Sequence, residues 1–267
     1  MAAPLPALPK PARHGRVSQY TLAEEGFPLK SHKQQQRSLI VLIPAHNEQT
    51  TVAQVVGAVK ETLDCEVVVI DDASTDATAQ VAWAAGATLL PLSLRLGAWG
   101  AIQTGLRYAL QKGYRSAVTM DADGQHHAAQ IRSLVKPLIA SEADVVIGAC
   151  PERVSRARRL AWSYFRLLTG LSLEDITSGF RAYNPSAIEL LASAEASLLD
   201  YQDIGVLLII RHRNLRIVEV PVLMDARTTG ISRVFSSWLI VAKYLLQTSL
   251  LCIARVYRKP VGKNLTD

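Results

Sequence analysis

The sequence contains little cysteine. Its 267 residues include three cysteines, Cys65, Cys150 and Cys252, which lie far apart and form no C-x-x-C pair. A disulfide scaffold needs a dense set of cysteines, and a zinc site needs closely spaced ligands. The pattern excludes both classes and indicates that the cysteines are small buried hydrophobic residues in a reducing compartment.

A long uninterrupted apolar segment is also missing. Residues 1–37 are polar and proline-punctuated, without the apolar core that a secretion signal requires. Near the C-terminus, the longest charge-free run covers residues 244–254. That run is shorter than the roughly 20 residues that span a bilayer. We therefore expect a mobile N-terminal arm at residues 1–37 and no integral membrane anchor.

Signatures of nucleic-acid binding are absent as well. The chain has no nucleic-acid-binding motif and no lysine-rich tract with interleaved aromatic residues. Its net charge is nevertheless +6, with a sequence pI near 9.3. Because a basic surface attracts anions, the charge predicts a different anionic partner, such as a nucleotide or a phospholipid surface.

What the sequence does contain is a regular alternation of short apolar runs and amphipathic segments. Continuous apolar runs, as at residues 38–43, are typical of parallel strands that are buried on both faces. The alternation predicts an α/β domain at residues 38–235, with a mostly parallel sheet flanked by helices. Strands are predicted at 38–43, 66–70, 88–92, 116–120 and 144–148, and helices at 50–63, 76–85, 98–112 and 128–141.

Two carboxylates follow the predicted strand at 116–120. Asp121 and Asp123 are separated by one residue, and Gly124 predicts a turn directly after them. Carboxylates at this spacing on a bending strand end can both reach one hard cation, and Mg²⁺ and Mn²⁺ prefer such oxygen ligands. The alternative is an acidic turn that caps the next helix. Similar polar turns at the ends of neighbouring strands favour the metal site.

The first and second predicted strands end in such polar loops. Residues 44–48 read Pro-Ala-His-Asn-Glu, and residues 71–76 read Asp-Asp-Ala-Ser-Thr-Asp. These loops can hold a nucleotide, because carboxylates accept hydrogen bonds from the base and ribose, and a helix N-terminus favours phosphate. The hydroxyls in the second loop could equally cap the next helix. We assign Asp72 to the ligand and Asp76 to the first turn of that helix.

Four motifs in order carry a family resemblance: PAHNE at 44–48, DDASTDAT at 71–78, LGAWGAIQTGLRYAL at 96–110 and DADGQHH at 121–127. With them the chain resembles an inverting family 2 glycosyltransferase of the Rossmann-like GT-A fold. Within the family it is most similar to the polyprenyl-phosphate hexose synthases of the dolichyl-phosphate mannose synthase type. Their signature continues at 175–181, 219–222 and 227–233, and the Q-x-x-R-W motif of processive polysaccharide synthases is absent.

The resemblance implies roles for the matched positions. A nucleoside diphosphate sugar would contact the first two loops through Pro44, Ala45, Asn47, Glu48 and Asp72. Mg²⁺ or Mn²⁺ would bind Asp121, Asp123 and Gln125 and neutralise the leaving nucleoside diphosphate. Arg227 and Arg233 would complete the donor site by clamping phosphate oxygens. The catalytic residues implied in this way are Asp121, Asp123, Asp175 and Arg227.

A basic and aromatic segment predicts where the acceptor binds. Residues 153–166 carry five arginines interleaved with aromatic and aliphatic residues. The resemblance implies that Arg153, Arg159 and Ser163 hold the phosphate of a polyprenyl phosphate. The alternative is an amphipathic helix whose arginines are merely solvated. Arginines beside an aromatic stripe favour the anionic interface.

The acceptor decides whether a general base is needed. A phosphate monoester is already anionic at neutral pH, whereas a hydroxyl must lose a proton, for which Asp175 and Asp203 are the candidates. His126 and His127 could contact phosphate, although imidazoles in a turn are more often surface donors. Two alternatives to transfer onto polyprenyl phosphate therefore stay open. They are transfer to a sugar or protein hydroxyl, and a non-catalytic GT-A scaffold in a membrane polysaccharide complex.

The C-terminal segment, residues 236–267, combines apolar and basic residues. Its apolar positions are interrupted by Lys243, Gln247 and Arg255, and a basic tail follows. This pattern fits an amphipathic helix on a membrane surface, and the alternative is a helix that packs on the domain or on a partner protein. We expect a cytoplasmic protein that is peripheral at the cytoplasmic face of a membrane, held by lipid or by an integral membrane partner.

Overall fold

A computed structural model describes residues 37–150, 162–164, 166–167, 169–171, 173–198, 204–225 and 249. The first strand begins at Arg37, so the predicted arm lies outside the described residues apart from its last position. Cys252 and all of the C-terminal segment except Ser249 lie outside them as well.

The described residues form a seven-stranded sheet in the order β3-β2-β1-β4-β6-β5-β7. Strand β6 runs antiparallel to both of its neighbours, and the other neighbouring pairs are parallel. The predicted mostly parallel sheet is therefore confirmed. The strands are β1 (Arg37–Ala45), β2 (Glu66–Asp71), β3 (Thr88–Pro91), β4 (Tyr114–Thr119), β5 (Val145–Ala149), β6 (Arg181–Tyr183) and β7 (Ile217–Pro221).

Helices cover both faces of this sheet. They are α1 (Val52–Thr62), α2 (Thr78–Ala84), α3 (Gly97–Lys112), α4 (Ile131–Ile139), α5 (Pro185–Ala192) and α6 (Ile204–His212). Short 3-10 turns lie at Ala128–Gln130 and Glu195–Leu198. Across the described ranges, no helix combines the length and the apolarity needed to cross a membrane.

The side chains of β1 show how the layers are held together. Ile40 and Leu42 are fully buried in a cluster with residues of α3, α5 and α6. Val41 and Ile43 are fully buried in a second cluster with residues of α1, α2 and α4. Because successive strand side chains point to opposite faces, an unbroken apolar run places side chains in both clusters. Each such burial stabilises the fold by about 1.5–3 kcal/mol relative to exposure.

The boundaries of the predicted elements are close to the observed ones, whereas strands β6 and β7 and helices α5 and α6 were not among the predicted elements. The predicted helices and strands differ from the observed ones by no more than three residues at either end. Strand β6 was not predicted, because three residues are too few to show a period. Its pairing sets Thr119 of β4 opposite Arg181, so the residues just before β6 meet the residues just after β4.

Two of the three cysteines are less buried than the sequence indicated. Cys65 and Cys150 are free thiols of intermediate exposure. Burial and, secondarily, the Asp64 carboxylate raise the pKa of Cys65 to about 11. Since the thiolate is the reactive form, this thiol is protonated and inert at neutral pH.

Candidate active site

Asp121 follows β4 at the carboxyl edge of the sheet. The main chain before it is fixed, because the Met120 N–H donates to the Leu42 carbonyl at 3.0 Å. The Asp121 side chain is 44% exposed, and its Oδ2 lies 3.2 Å from His126 Nε2. Asp121 is therefore accessible from solvent and held by a histidine five residues further along.

Gly179 also lies close to the Asp121 carboxylate. A Cβ added at Gly179 would lie 2.7 Å from Oδ1 and 2.8 Å from Oδ2 of Asp121, too close for real atoms. The Gly179 carbonyl accepts a 2.7 Å hydrogen bond from Thr119 Oγ1. A glycine is thus required for this close approach, which the antiparallel pairing of β4 and β6 creates.

The turn after Asp121 places two further predicted metal ligands. The Gln125 N–H donates to Asp123 Oδ1 at 3.1 Å, and Gly124 adopts a left-handed φ of 77° between them. Both Asp123 and Gln125 are partly exposed. The turn places the three predicted ligands, Asp121, Asp123 and Gln125, within one short segment.

The segment after β7 is tied to this turn. His126 and Met224 form an isolated antiparallel bridge, and the Asp225 N–H donates to the Gln125 carbonyl at 2.9 Å. His127 Nε2 lies 3.2 Å from the Asp225 carboxylate. Asp225 stands two residues before Arg227 in the sequence. Arg227 and Arg233 themselves lie outside the described residues.

The loops after β1 and β2 interlock at the same edge. The Asn47 N–H donates to Ser74 Oγ at 2.9 Å, and Asn47 Oδ1 accepts from the Thr75 N–H at 2.8 Å. Asn47 adopts a left-handed φ of 55°, which asparagine tolerates better than most residues. The Glu48 N–H donates to Thr78 Oγ1 at 2.8 Å. Two of the predicted nucleotide-binding residues thus brace the second loop.

Asp72 caps the start of α3. Its Oδ1 accepts from the Leu96 N–H at 2.6 Å, and its Oδ2 accepts from the Gly97 N–H at 2.9 Å. The residue is 3% exposed, so the carboxylate satisfies donors that the helix start would otherwise leave unpaired. The predicted nucleotide contact of Asp72 stays a prediction, and the structure adds a capping role that the sequence analysis missed.

Asp76 has the structural role that its sequence position suggested. Its carboxylate accepts from the N–H groups of Thr78 and Gln49 and from the Thr78 hydroxyl. Burial alone would raise the pKa of Asp76, but these hydrogen bonds outweigh it and lower the pKa. Ala77 is the N-cap residue of α2, and the capping hydrogen bond comes from Asp76 instead.

Asp175 is buried inside the loop that leads to Gly179. Its carboxylate accepts from the Cys150 N–H at 3.4 Å and from the Thr177 N–H at 3.2 Å. The Asp175 N–H itself donates to Glu219 Oε1 at 2.8 Å, and the Glu174 N–H donates to the same carboxylate. These contacts hold the loop, and the predicted catalytic role of Asp175 stays a prediction.

Glu219 and Arg181 are two anchors of this loop without an assigned role in the sequence analysis. Burial raises the pKa of Glu219, although the N–H groups of Asp175 and Glu174 oppose the shift. Arg181 is fully buried and donates from Nε to the Ser178 carbonyl and from Nη2 to the Ile176 carbonyl, both at 2.8 Å. Glu219 reaches the loop from β7, 44 residues away in the sequence, whereas Arg181 contacts carbonyls only three and five residues before it.

The predicted acceptor segment is described only in part. Ser163 is exposed and accepts a 2.9 Å hydrogen bond from Arg166 Nη2. The Tyr164 hydroxyl donates to Ser249 Oγ at 3.3 Å, so Ser249 lies beside this segment. Arg153, Arg159 and Asp203 lie outside the described residues.

The donor set at the end of β4 suits a divalent cation that substrate helps to bind. Among the described residues, no group of three or more His, Cys, Asp or Glu side chains forms a closed metal cage. Mg²⁺ is commonly held by one or two carboxylates together with substrate phosphates and water. Two carboxylates, one amide and the glycine that makes room for Asp121 fit this pattern.

Comparisons with known proteins agree with the fold. The profile of Glycosyl transferase family 2 matches residues 40–189. An undecaprenyl-phosphate mannosyltransferase of Micrococcus luteus is 30% identical over 217 residues, which are 73% of this chain and 86% of that protein. A polyprenol monophosphomannose synthase of Mycolicibacterium smegmatis is 28% identical over 223 residues, which are 76% of this chain and 82% of that protein.

A solved structure shows the same architecture. Glucosyl-3-phosphoglycerate synthase from Mycobacterium tuberculosis, in complex with Mn²⁺, uridine diphosphate and phosphoglyceric acid, superposes with a TM-score of 0.63. It is 21% identical, and the match covers 85% of this chain and 81% of the synthase. This similarity places the sheet and its helices in the GT-A fold. Since the family profile covers more than half of the chain, the chain belongs to glycosyl transferase family 2 and is an inverting hexosyltransferase.

Proposed function

We propose that this enzyme transfers a hexose from a nucleoside diphosphate sugar to a polyprenyl phosphate, with Mg²⁺ or Mn²⁺ at the donor site. The observation that carries the proposal is the packing of Asp121 against Gly179 and His126, next to Asp123, at the carboxyl edge of the sheet. The undecaprenyl-phosphate mannosyltransferase and the polyprenol monophosphomannose synthase support this class of acceptor.

The donor would bind over the interlocked loops after β1 and β2. Pro44 and Ala45 are the last residues of β1, Asn47 and Glu48 lie in the loop after it, and Asp72 starts the loop after β2. An ionised carboxylate offers about four acceptor positions, so Asp72 can cap α3 and still accept from a base or a ribose hydroxyl. The hydrogen bonds between Asn47 and the second loop keep this platform rigid before the nucleotide arrives.

The diphosphate of the donor would lie at the turn after β4. Asp121, Asp123 and Gln125 would hold the cation there, and when bound it neutralises the charge that develops on the leaving nucleoside diphosphate. Arg227 and Arg233 would clamp phosphate oxygens, because a guanidinium pairs well with them. The bonds from Asp225 and Met224 to the metal turn support this position for the segment that leads to Arg227.

The acceptor phosphate would enter from the side of residues 153–166. One of its oxygens attacks the anomeric carbon opposite the diphosphate, forming a carbon–oxygen bond as the bond to the diphosphate oxygen breaks. This displacement inverts the configuration, and the anionic oxygen needs no proton removed. Arg153, Arg159 and Ser163 would orient the phosphate, and Asp175 would hold the neighbouring loop and contact the donor sugar.

The class of the acceptor can be tested by direct transfer. The full-length protein is incubated with radiolabelled nucleotide sugars, Mn²⁺ and polyprenyl phosphate, and the products are extracted into organic solvent. We expect the label of one nucleotide sugar to appear in the organic phase. Mild acid should then release the labelled sugar from the lipid product. Label that appears only on a water-soluble sugar or on protein would favour the hydroxyl acceptors, and no transfer with any donor would favour the scaffold.

Arg159→Ala tests the acceptor site separately. We expect the KM for polyprenyl phosphate to rise at least tenfold, because a charge-assisted hydrogen bond contributes about 1.5–3 kcal/mol. The affinity for the nucleotide should stay unchanged, as measured by calorimetry. Arg216→Ala is the control. Arg216 Nε lies 3.2 Å from Asp144 Oδ2, just before the starts of β7 and β5 and therefore at the edge of the sheet opposite the proposed site. An equal loss of nucleotide affinity in Arg159→Ala would instead assign Arg159 to the donor.

Membrane association is part of the proposal. The lipid acceptor, the basic C-terminal tail and the contact of Ser249 with Tyr164 of the acceptor segment favour a peripheral location at the cytoplasmic face of a membrane. We expect the protein to co-sediment with anionic liposomes and to be partly released by salt, since each basic residue near the surface contributes about 1 kcal/mol. Equal binding to neutral liposomes at all salt concentrations would contradict the electrostatic part, and no binding would point to a partner protein.

A further inference from the structure

His126 occupies a closed position beside the predicted metal ligand Asp121. Its side chain is fully buried, and the ring centroid lies 4.8 Å from that of Phe180 at a tilt of 32°. Its Nε2 lies 3.2 Å from Asp121 Oδ2. The structure therefore corrects the sequence-based interpretation of His126 as a surface donor, whereas His127 is 43% exposed and fits it.

The contacts of the His126 ring indicate which of its two nitrogens carries a proton. An ionised carboxylate only accepts hydrogen bonds, so the short contact with Asp121 needs a proton on Nε2. His126 Nδ1 is buried and has no hydrogen-bond partner among the described residues. A proton on Nδ1 instead of Nε2 would leave a buried donor unpaired. It would also place the Nε2 lone pair against a lone pair of the Asp121 carboxylate. A proton on Nε2 avoids both costs.

The ring is also held in place before any ligand binds. The backbone of His126 pairs with Met224, and its neighbour Gln125 accepts from the Asp225 N–H. Phe180 packs on the imidazole, and Phe180 directly follows Gly179, which contacts the Asp121 carboxylate. The Asp121 carboxylate thus lies close to both a fixed donor and a fixed glycine.

We propose that His126 is a positioning residue that fixes the Asp121 carboxylate in the orientation required to bind the divalent cation with the nucleoside diphosphate. The inference rests on the proposed cation site at Asp121, Asp123 and Gln125. A buried donor that restrains a ligating carboxylate lowers the cost of ordering it when the cation binds. Partners of this kind typically change metal affinity by about 10–100-fold when they are removed.

Two substitutions separate the hydrogen bond from the packing. His126→Phe keeps a flat ring against Phe180 and removes the Nε2 donor, whereas His126→Gln can place an amide N–H near the position of Nε2. We expect His126→Phe to weaken Mn²⁺ binding in the presence of nucleoside diphosphate by about tenfold. His126→Gln should retain most of the affinity. His212→Phe, at an exposed histidine at the end of α6, is the control and should match the wild type.

The measurements are calorimetric titration of Mn²⁺ into protein with nucleoside diphosphate, and thermal unfolding without metal. Wild-type Mn²⁺ affinity in a folded His126→Phe variant would overturn the inference, and so would an equal loss in His126→Gln. If the wild type binds nucleotide with the same affinity with and without Mn²⁺, the cation site itself is overturned instead. Should His126→Phe not fold, NMR of isotope-labelled histidine in the wild type decides: Nε2–H on His126 supports the inference, and Nδ1–H overturns it.

Discussion

Gly179→Ala is expected to lower the rate of sugar transfer by about a hundredfold, since a displacement of one ångström near reacting groups can cost that much. The added Cβ would lie 2.7 Å from one Asp121 oxygen and 2.8 Å from the other, so the carboxylate must move away. That movement disturbs the predicted cation site and breaks the contact with His126. Steady-state kinetics with saturating lipid phosphate and Mn²⁺ measure the effect.

Stability should change little in this variant, because the clash involves a partly exposed side chain rather than the core. The matched control is Gly57→Ala in α1, where a Cβ meets nothing within 4 Å. Alanine in a helix interior is favoured over glycine by about 0.5–1 kcal/mol, so the control should be slightly more stable and fully active. Full activity in Gly179→Ala would show that the position of Asp121 does not limit catalysis.

Asp123→Ala is expected to abolish measurable turnover, with a loss of roughly a thousandfold or more. Removal of a metal ligand forfeits several kcal/mol of charge stabilisation, and about 1.4 kcal/mol corresponds to each factor of ten. Nucleoside diphosphate should bind the wild type tightly with Mn²⁺ and weakly with chelator, and the variant weakly in both. Calorimetry of these four combinations checks the prediction.

The thermal unfolding of Asp123→Ala should stay near that of the wild type, since partly exposed carboxylates contribute only about 0–1 kcal/mol. The control is Asp64→Ala, an exposed aspartate between α1 and β2 at the opposite edge of the sheet. It removes the same charge away from the site and should leave nucleotide binding and turnover unchanged. Equal affinity of the wild type with and without chelator would contradict the metal role.

Much of the α/β framework could be predicted because it depends on neighbours in the sequence. The apolar run that contains Ile40–Ile43 predicts a strand buried on both faces, and those four residues are indeed fully buried. The spacing of Asp121 and Asp123, followed by Gly124, predicts a turn at a strand end, and that turn is present. Such patterns record local geometry, so boundaries could be placed to within a few residues.

The surroundings of these residues were decided by tertiary structure alone. Asp121 meets Gly179 because the short strand β6 pairs antiparallel with β4. A strand of three residues is too short to show a hydrophobic period from which it could be predicted. Asp72 meets the N–H groups of Leu96 and Gly97 because β2 ends where α3 begins in space. Nothing near either residue in the sequence indicates these partners.

Local patterns in the sequence showed which residue types stand at the strand ends, and its motifs indicated the family. Tertiary structure decided which of those residues meet, that His126 is enclosed against Phe180, and that Glu219 anchors the Asp175 loop. The physical reason is the range of the interactions. Strand and turn preferences arise within a few residues, whereas burial and distant hydrogen bonds exist only after the sheet has brought remote segments together.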